Sequence, residues 1–117
     1  MPDTAIFNPK RIIELTGSDS ELISELTTMY VEDNSRRIER IKTQLASGKI
    51  TEASREAHSL KGASLNLGAP AMAKAAKKLE DCLLEAGKND SDLILVEISD
   101  IFNKIKNEIK NFQENLL

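Results

Sequence analysis

The chain has 117 residues and a formal net charge of -3, with 40% hydrophobic and 30% charged residues, a balance typical of one globular domain. Acidic and basic residues are interspersed, so we predict no basic face for nucleic acid, and no apolar run reaches the roughly 18 residues of a membrane span. The one cysteine cannot form an internal disulfide and the N-terminus lacks a secretory signal, so we expect a cytoplasmic protein.

Apolar residues recur at helical spacing along most of the chain, and strand-like alternation is absent. Asn8 and Pro9 mark the start of the first helix, as N-cap and first helical residue. Ser18 with Glu21 forms a capping box for the second helix, and Thr51 is the predicted N-cap of the third. The predicted helices span residues 9–16, 19–46, 52–67, 70–86 and 91–115.

Four long amphipathic segments joined by short connections predict the fold class. We expect an all-α protein, an antiparallel up-down four-helix bundle with a short extra N-terminal helix, in a single domain of residues 1–117. The predicted core residues of the second helix are Leu22, Leu26, Met29 or Tyr30, Ile38, Ile41 and Leu45. The clearest stripe is that of the last helix: Ile94, Ile98, Ile101, Ile105, Ile109, Phe112 and Leu116.

His58 is the only histidine, and the apolar register of the third helix turns it away from the core. That register is Ala53, Ala57, Leu60, Ser64 and Leu67. At about 100° per residue, His58 lies roughly 140° from this stripe and Gly62 roughly 180°. Lys61 lies on the flank, so we predict a solvent-facing imidazole with Lys61 and Gly62 as its neighbours one turn away.

Gly62 is unusual because glycine inside a helix costs about 1 kcal/mol relative to alanine. No turn is expected there, since the apolar register continues through Ser64 and Leu67. What glycine provides is open space beside the imidazole, in which the backbone of another protein could approach His58. Taken singly, an exposed histidine or lysine on a helix is more often a solvated residue without a role.

Glu80 on the fourth helix is a candidate partner for the ring. His58 lies eleven residues before Ala69 and Glu80 eleven residues after it, so the two are level in an antiparallel hairpin. The helix flanks that carry Lys61 and Glu80 either face one shared groove or both face away from it, and the sequence leaves this open. In a shared groove, Glu80 would accept a hydrogen bond from Nδ1–H and hold Nε2 outward as a free nucleophile.

The sequence lacks the residues that other kinds of functional site require. Acyl transfer requires a nucleophile, a base and an oxyanion hole in a concave pocket, and zinc requires several His or Cys ligands. The chain has one histidine on a convex helix face, one cysteine and no glycine-rich phosphate loop. What remains is nucleophilic use of the imidazole itself, with Nε2 accepting a phosphoryl group and Lys61 stabilising its charge.

A gapless motif resembles that of the histidine-containing phosphotransfer (HPt) domains of multistep two-component phosphorelays; it reads AHSLKGASLNLGA over residues 57–69. The resemblance implies that His58 accepts the phosphoryl group, that Lys61 stabilises it and that Glu80 orients the ring. It further implies transfer from a receiver-domain aspartate, or a kinase, to another receiver-domain aspartate. Mg²⁺ would be held by the receiver, with no cofactor and no kinase or phosphatase activity in this chain itself.

The resemblance also implies a docking surface beside the histidine for receiver domains of response regulators or of a hybrid sensor histidine kinase. We expect this surface to be lined by Gly62, Leu65, Ala69, Met72 and Lys77. Pro70 departs from the family pattern by coming so early in the fourth helix, which should leave the site intact.

Two other functions stay open at this point. A helical scaffold would leave His58 unmodified, but it does not explain Gly62. A kinase dimerisation and phosphoacceptor segment should dimerise and typically carries a proline downstream of its histidine, whereas an HPt domain is expected to be a monomer. The same residues could form a separate protein or a fragment of a larger sensor kinase.

Overall fold

The structure is a computed structural model that describes residues 5–86 and 90–116. Those residues contain five α-helices and no strand, which confirms the all-α class. The helices are α1 Lys10–Thr16, α2 Ser20–Ala46, α3 Ile50–Leu67, α4 Pro70–Ala86 and α5 Ser91–Glu114. Over the described ranges, no helix is both long and apolar enough to cross a bilayer.

The helix starts differ from the predicted caps in three places. The N-cap of α2 is Asp19, whose side chain accepts a hydrogen bond from the backbone N–H of Leu22 at 3.0 Å. The predicted capping box is wrong because Ser18 has a φ of 67°, whereas an N-cap needs an extended backbone. Thr51 is also not a cap, since α3 already begins at Ile50. At α1 the N-cap is Pro9 instead of the predicted Asn8, and the helix begins at Lys10; Asn8 Oδ1 accepts a hydrogen bond from the N–H of Lys10 at 3.0 Å.

The first half of α2 turns a different set of residues inward from the predicted set. The buried residues of this helix are Ile23, Thr27, Tyr30, Asn34, Ile38, Ile41 and Leu45. Leu22, predicted in the core, is exposed instead, and of the predicted alternatives Met29 and Tyr30 it is Tyr30 that is buried. Two polar residues take core positions because the backbone satisfies them: the Thr27 hydroxyl and the Asn34 amide each donate to a carbonyl one turn earlier at 2.8 Å.

The helices enclose an aliphatic core that also contains one buried pair of hydroxyls. α3 packs against α1, α2 and α4, and α5 packs against α2 and α4. The hydroxyl oxygens of Tyr30 on α2 and Ser64 on α3 are 2.8 Å apart within this core. Burial raises the pKa of Tyr30 to about 12, with the Ser64 hydrogen bond acting in the opposite direction. The phenol is therefore protonated at neutral pH and available as a hydrogen-bond donor.

The segment before α1 lies across the junction between α3 and α4. The N–H of Asn8 donates to the carbonyl of Gly68 at 2.8 Å, and the N–H of Ala71 donates to the carbonyl of Ala5 at 3.1 Å. Gly68 has a φ of 93°, and a Cβ there would collide with the carbonyl oxygen of Asn8, so this position requires glycine. Phe7 from the same segment is buried. The first turn of α4 is therefore covered by the N-terminal residues.

Candidate functional site

The two faces of α3 have different surroundings. Its predicted core register is confirmed, with Ala53, Ala57, Leu60, Ser64 and Leu67 all buried. The opposite face carries His58, whose side chain is 63% exposed. The predicted outward orientation of the imidazole is therefore confirmed.

Glu80 reaches the ring from α4. Nδ1 of His58 and Oε2 of Glu80 are 2.9 Å apart. Because a carboxylate can only accept, Nδ1 carries the hydrogen of this bond. In the neutral ring the lone pair is then on Nε2, for which the described ranges 5–86 and 90–116 provide no hydrogen-bond partner. Of the two arrangements that the sequence leaves open, the structure has the shared groove.

Small residues let α3 and α4 approach each other at this groove. Buried alanines occur on both helices, among them Ala57 just before His58 and Ala76 one turn before Glu80. Little side-chain volume then separates the two backbones. This close approach explains why a glutamate on one helix can reach the ring of a histidine on the other.

Lys61 lies one turn after His58 and borders the same groove. Its Nζ is 3.6 Å from Oε1 of Glu80, which is an ion pair beyond the usual hydrogen-bond distance. The Glu80 side chain is 17% exposed and that of Lys61 26%, so both charges are partly withdrawn from water. Glu80 thus uses one carboxylate oxygen for the imidazole and turns the other toward the ammonium.

Gly62 has no packing reason to be glycine. A Cβ placed on it would meet no atom within 4 Å, in contrast to Gly68, where the backbone of Asn8 occupies that space. Glycine therefore destabilises this helix by about 1 kcal/mol relative to alanine, and no contact within the chain requires it. The result is an open surface one turn from His58.

Three of the five residues predicted to bind a partner are accessible and two are not. Leu65 is 56% exposed, Lys77 is exposed, and Gly62 is partly exposed. A hydrogen bond to Asp81 raises the pKa of the Lys77 ammonium. Ala69 and Met72 are both fully buried, so their predicted place on the docking surface is wrong. The reason is that the N-terminal segment covers the start of α4, and that Met72 belongs to the core stripe of this helix.

An apolar surface that the sequence analysis missed lies on α1 and α2. Leu15, Leu22 and Met29 are exposed there, Met29 by 53%. A shallow groove beside them is lined by Ile12, Leu15, Leu26, Tyr30, Ala63, Asn66 and Leu67. Because this groove reaches α3 next to Gly62 and Leu65, it borders the face that carries His58. The sequence did contain its signal, since Leu22, Leu26 and Met29 form a helical stripe of their own beside the true core stripe.

The chemistry that this arrangement supports depends on a single nitrogen. Among residues 5–86 and 90–116, no group of three or more His, Cys, Asp or Glu side chains could hold a metal ion. The site instead has a nucleophilic Nε2 in solvent, a carboxylate that fixes the ring, and an ammonium one turn away. Such a site can accept a group from a partner that brings the remaining catalytic machinery.

Two solved structures share this fold. Histidine-containing phosphotransfer protein B (HptB) from Pseudomonas aeruginosa PAO1 superimposes with a TM-score of 0.88 at 20% identity, over 96% of this chain and 97% of that one. The HPT domain of a sensor hybrid histidine kinase from Shewanella gives a TM-score of 0.77 at 21% identity, over 94% of this chain and 95% of that one. A search of proteins with curated functions finds no significant match.

The sequence itself matches a family model. The model of the Hpt domain aligns with residues 25–115, which include the whole of α3, α4 and α5 and most of α2. This match covers His58, Lys61 and Glu80 and most of the length of the chain. The chain therefore belongs to the Hpt domain family, and it is an intermediate in phosphorelays.

Proposed function

We propose that this chain accepts a phosphoryl group on Nε2 of His58 from a receiver-domain aspartate, or from a kinase, and passes it to the aspartate of another receiver. The observation that carries the proposal is the 2.9 Å hydrogen bond between Nδ1 of His58 and Glu80. This bond selects the tautomer whose lone pair is on the exposed Nε2. We expect the receiver to hold the Mg²⁺, and this chain to have no kinase or phosphatase activity of its own.

The transfer step needs no proton movement at the ring. The lone pair of Nε2 attacks the phosphorus of the aspartyl phosphate, the N–P bond forms, and the P–O bond to the aspartate breaks. The aspartate leaves as a carboxylate while Nδ1 of His58 keeps its hydrogen. The ring then carries one positive charge and the phosphoryl oxygens two negative charges. In the second transfer another aspartate attacks the phosphorus, and the ring leaves as neutral imidazole.

Glu80 and Lys61 have complementary roles in this proposal. The carboxylate of Glu80 stabilises the cationic ring through the hydrogen bond that already exists. The ammonium of Lys61 stabilises the phosphoryl oxygens, by about 1.5–3 kcal/mol at most for a charge-assisted hydrogen bond. Partial exposure of Lys61 to water reduces that value.

The proposed docking partner is the apolar face of a receiver domain. We define the receiver-facing surface as Leu15, Leu22, Leu26, Met29, Gly62 and Leu65. Leu15, Leu22, Met29 and Leu65 are exposed, and Leu15 and Leu26 line the same groove; exposed apolar side chains in numbers on a small domain are typical of an interaction site. Gly62 lets the partner's backbone approach His58, and this surface replaces the predicted contribution of Ala69 and Met72.

The proposed architecture is the antiparallel up-down bundle of α2 to α5, with α1 as the extra helix. Cross-helix pairs support it. Tyr30 bonds to Ser64, whereas Arg40, later in α2, bonds to Glu56, earlier in α3. Such a reversed order of partners is typical of antiparallel neighbours. The monomeric state and the cytoplasmic location stay predictions of the sequence.

Transfer of label tests the proposed function. A receiver domain phosphorylated on its aspartate, mixed with the wild-type chain and Mg²⁺, should give acid-labile label on this chain. The His58→Gln variant should fold normally by circular dichroism and take up no label. Undiminished labelling of His58→Gln, or no labelling of the wild type by any cognate receiver, would contradict the proposal.

Two surface substitutions test the docking part separately. Met29→Glu places a charge on the receiver-facing surface and should slow transfer without unfolding the chain. Leu93→Glu is the matched control, because Leu93 is an exposed leucine on α5 outside that surface. Equal transfer rates for the two variants would show that the receiver docks elsewhere.

A further inference from the structure

Glu80 contacts two partners with its two oxygens, and the two contacts differ in kind. Oε2 accepts a hydrogen bond from Nδ1 of His58 at 2.9 Å. Oε1 is 3.6 Å from Nζ of Lys61, too far for a direct hydrogen bond. The ring is therefore held firmly, and Lys61 is the partner that can leave Glu80 without losing a hydrogen bond to it.

Phosphorylation of His58 would offer Lys61 a stronger partner. The phosphoryl oxygens carry about two negative charges, and Lys61 is three residues from His58 on the same helix face. These oxygens accept short charge-assisted hydrogen bonds, which the present ion pair with Glu80 lacks. Once Lys61 has moved, Glu80 keeps the cationic ring beside Oε2, but Oε1 has lost its counter-charge, and the 17% exposure of Glu80 leaves little water to replace it.

We infer that Lys61 exchanges Glu80 for the phosphoryl group when His58 is phosphorylated, and that Glu80 thereby limits how much Lys61 stabilises the phosphohistidine. This inference rests on the proposed role of His58. Glu80 has two opposing effects in this arrangement: it supports the cationic ring, and it competes for the ammonium. The competition keeps the phosphohistidine from becoming too stable to pass on its phosphoryl group.

A thermodynamic cycle measures this competition. The quantity is the equilibrium constant for phosphoryl exchange between His58 and the aspartate of one receiver domain that labels the wild type. Lys61→Met removes the ammonium but keeps most of the stem, and Glu80→Gln removes the charge but keeps an oxygen that accepts from Nδ1–H. Because an equilibrium between free species is measured, changes in docking affect only the rate of approach to it.

The exchange predicts that the two positions are coupled. Lys61→Met should lower the equilibrium constant for phosphohistidine in both backgrounds, and roughly fivefold more in Glu80→Gln than in the wild type. The factor is larger in Glu80→Gln because, without the carboxylate, Lys61 breaks no ion pair when it moves to the phosphoryl group. ³¹P NMR integrals of phosphohistidine and aspartyl phosphate supply the constants.

Asp81→Asn is the matched control background. Asp81 is the next residue on α4, and its carboxylate pairs with Lys77 at 3.0 Å instead of with Lys61. In the Asp81→Asn background, Lys61→Met should lower the equilibrium constant for phosphohistidine by the same factor as in the wild type. Equal factors in the wild type and Glu80→Gln, or an enlarged factor in Asp81→Asn as well, would overturn the inference. A wild type that accepts no phosphoryl group would instead reject the proposed function, and the inference with it.

Discussion

Two of the side-chain hydrogen bonds from α3 to its neighbours lie on opposite faces of the helix and have nearly the same length. Ser64 and Tyr30 are 2.8 Å apart on the core side. His58 and Glu80 are 2.9 Å apart on the other side. The first pair is buried in the core, whereas the second leaves the imidazole largely in water.

The surroundings decide what each bond does. A buried hydroxyl without its partner costs about 1–3 kcal/mol, so the Tyr30–Ser64 bond contributes to the stability of the fold. An exposed ion pair or hydrogen bond contributes about 0–1 kcal/mol, so the His58–Glu80 bond contributes mainly orientation. Stability and chemistry are thus assigned to opposite faces of one helix, and substitutions should separate them.

The largest separation is expected for two leucines five residues apart on α3. Leu60 is fully buried, and Leu60→Ala should lower the free energy of unfolding by about 2–5 kcal/mol. Leu65 is exposed, and Leu65→Ala should change it by less than about 0.5 kcal/mol while slowing transfer from a receiver. Urea unfolding followed by circular dichroism checks the first quantity, and transfer per folded molecule checks the second. Similar losses of stability for the two variants would contradict the assignment of the faces.

Alkaline pH should weaken the core bond. Burial raises the pKa of Tyr30 from 10.0 to about 12, so the folded state holds this proton more tightly than the unfolded state. The resulting stability is complete below about pH 10 and is lost as the pH rises to about 12. It amounts to about 2–3 kcal/mol. The free energy of unfolding of the wild type should fall over this interval relative to that of Tyr30→Phe, which lacks the titrating group. Parallel pH profiles of the two proteins would contradict a raised pKa of Tyr30.

The smallest effect is expected at Gly62, with opposite signs for folding and function. Gly62→Ala should raise the free energy of unfolding by about 0.5–1 kcal/mol, because a Cβ there meets no atom within 4 Å. Gly62→Gln should keep the helical circular dichroism but slow transfer, since its side chain fills the space beside His58. A destabilised Gly62→Ala, or normal transfer kinetics in Gly62→Gln, would show that the open space is not the reason for this glycine.

The most accurate predictions from the sequence were those that depend on a single helix. The register of α3 followed from its apolar spacing, and with it the outward direction of His58. The level of Glu80 followed from counting along a hairpin. Whether the two flanks faced a shared groove depends on the rotation of α3 against α4, which packing sets and periodicity cannot.

The errors have a common cause in contacts that a hydrophobicity pattern does not contain. Thr27 and Asn34 occupy core positions because backbone carbonyls accept their hydrogen bonds, which the apolar stripe predicted for the first half of α2 could not include. The predicted residues Ile38, Ile41 and Leu45 of the second half are buried. Ala69 and Met72 were expected at the surface, but a segment distant in sequence covers the start of α4. The apolar residues Leu22 and Met29 of α2 could be recognised as exposed only once the true core was known.

The most direct test of the central claim is to locate the phosphorus on the ring of His58. The chain labelled with ¹⁵N and phosphorylated by a receiver domain would be examined by ³¹P–¹⁵N correlation NMR. We predict a one-bond coupling of phosphorus to Nε2, with Nδ1 still protonated and hydrogen-bonded to Glu80. A coupling to Nδ1, or phosphorus on another residue, would contradict the account.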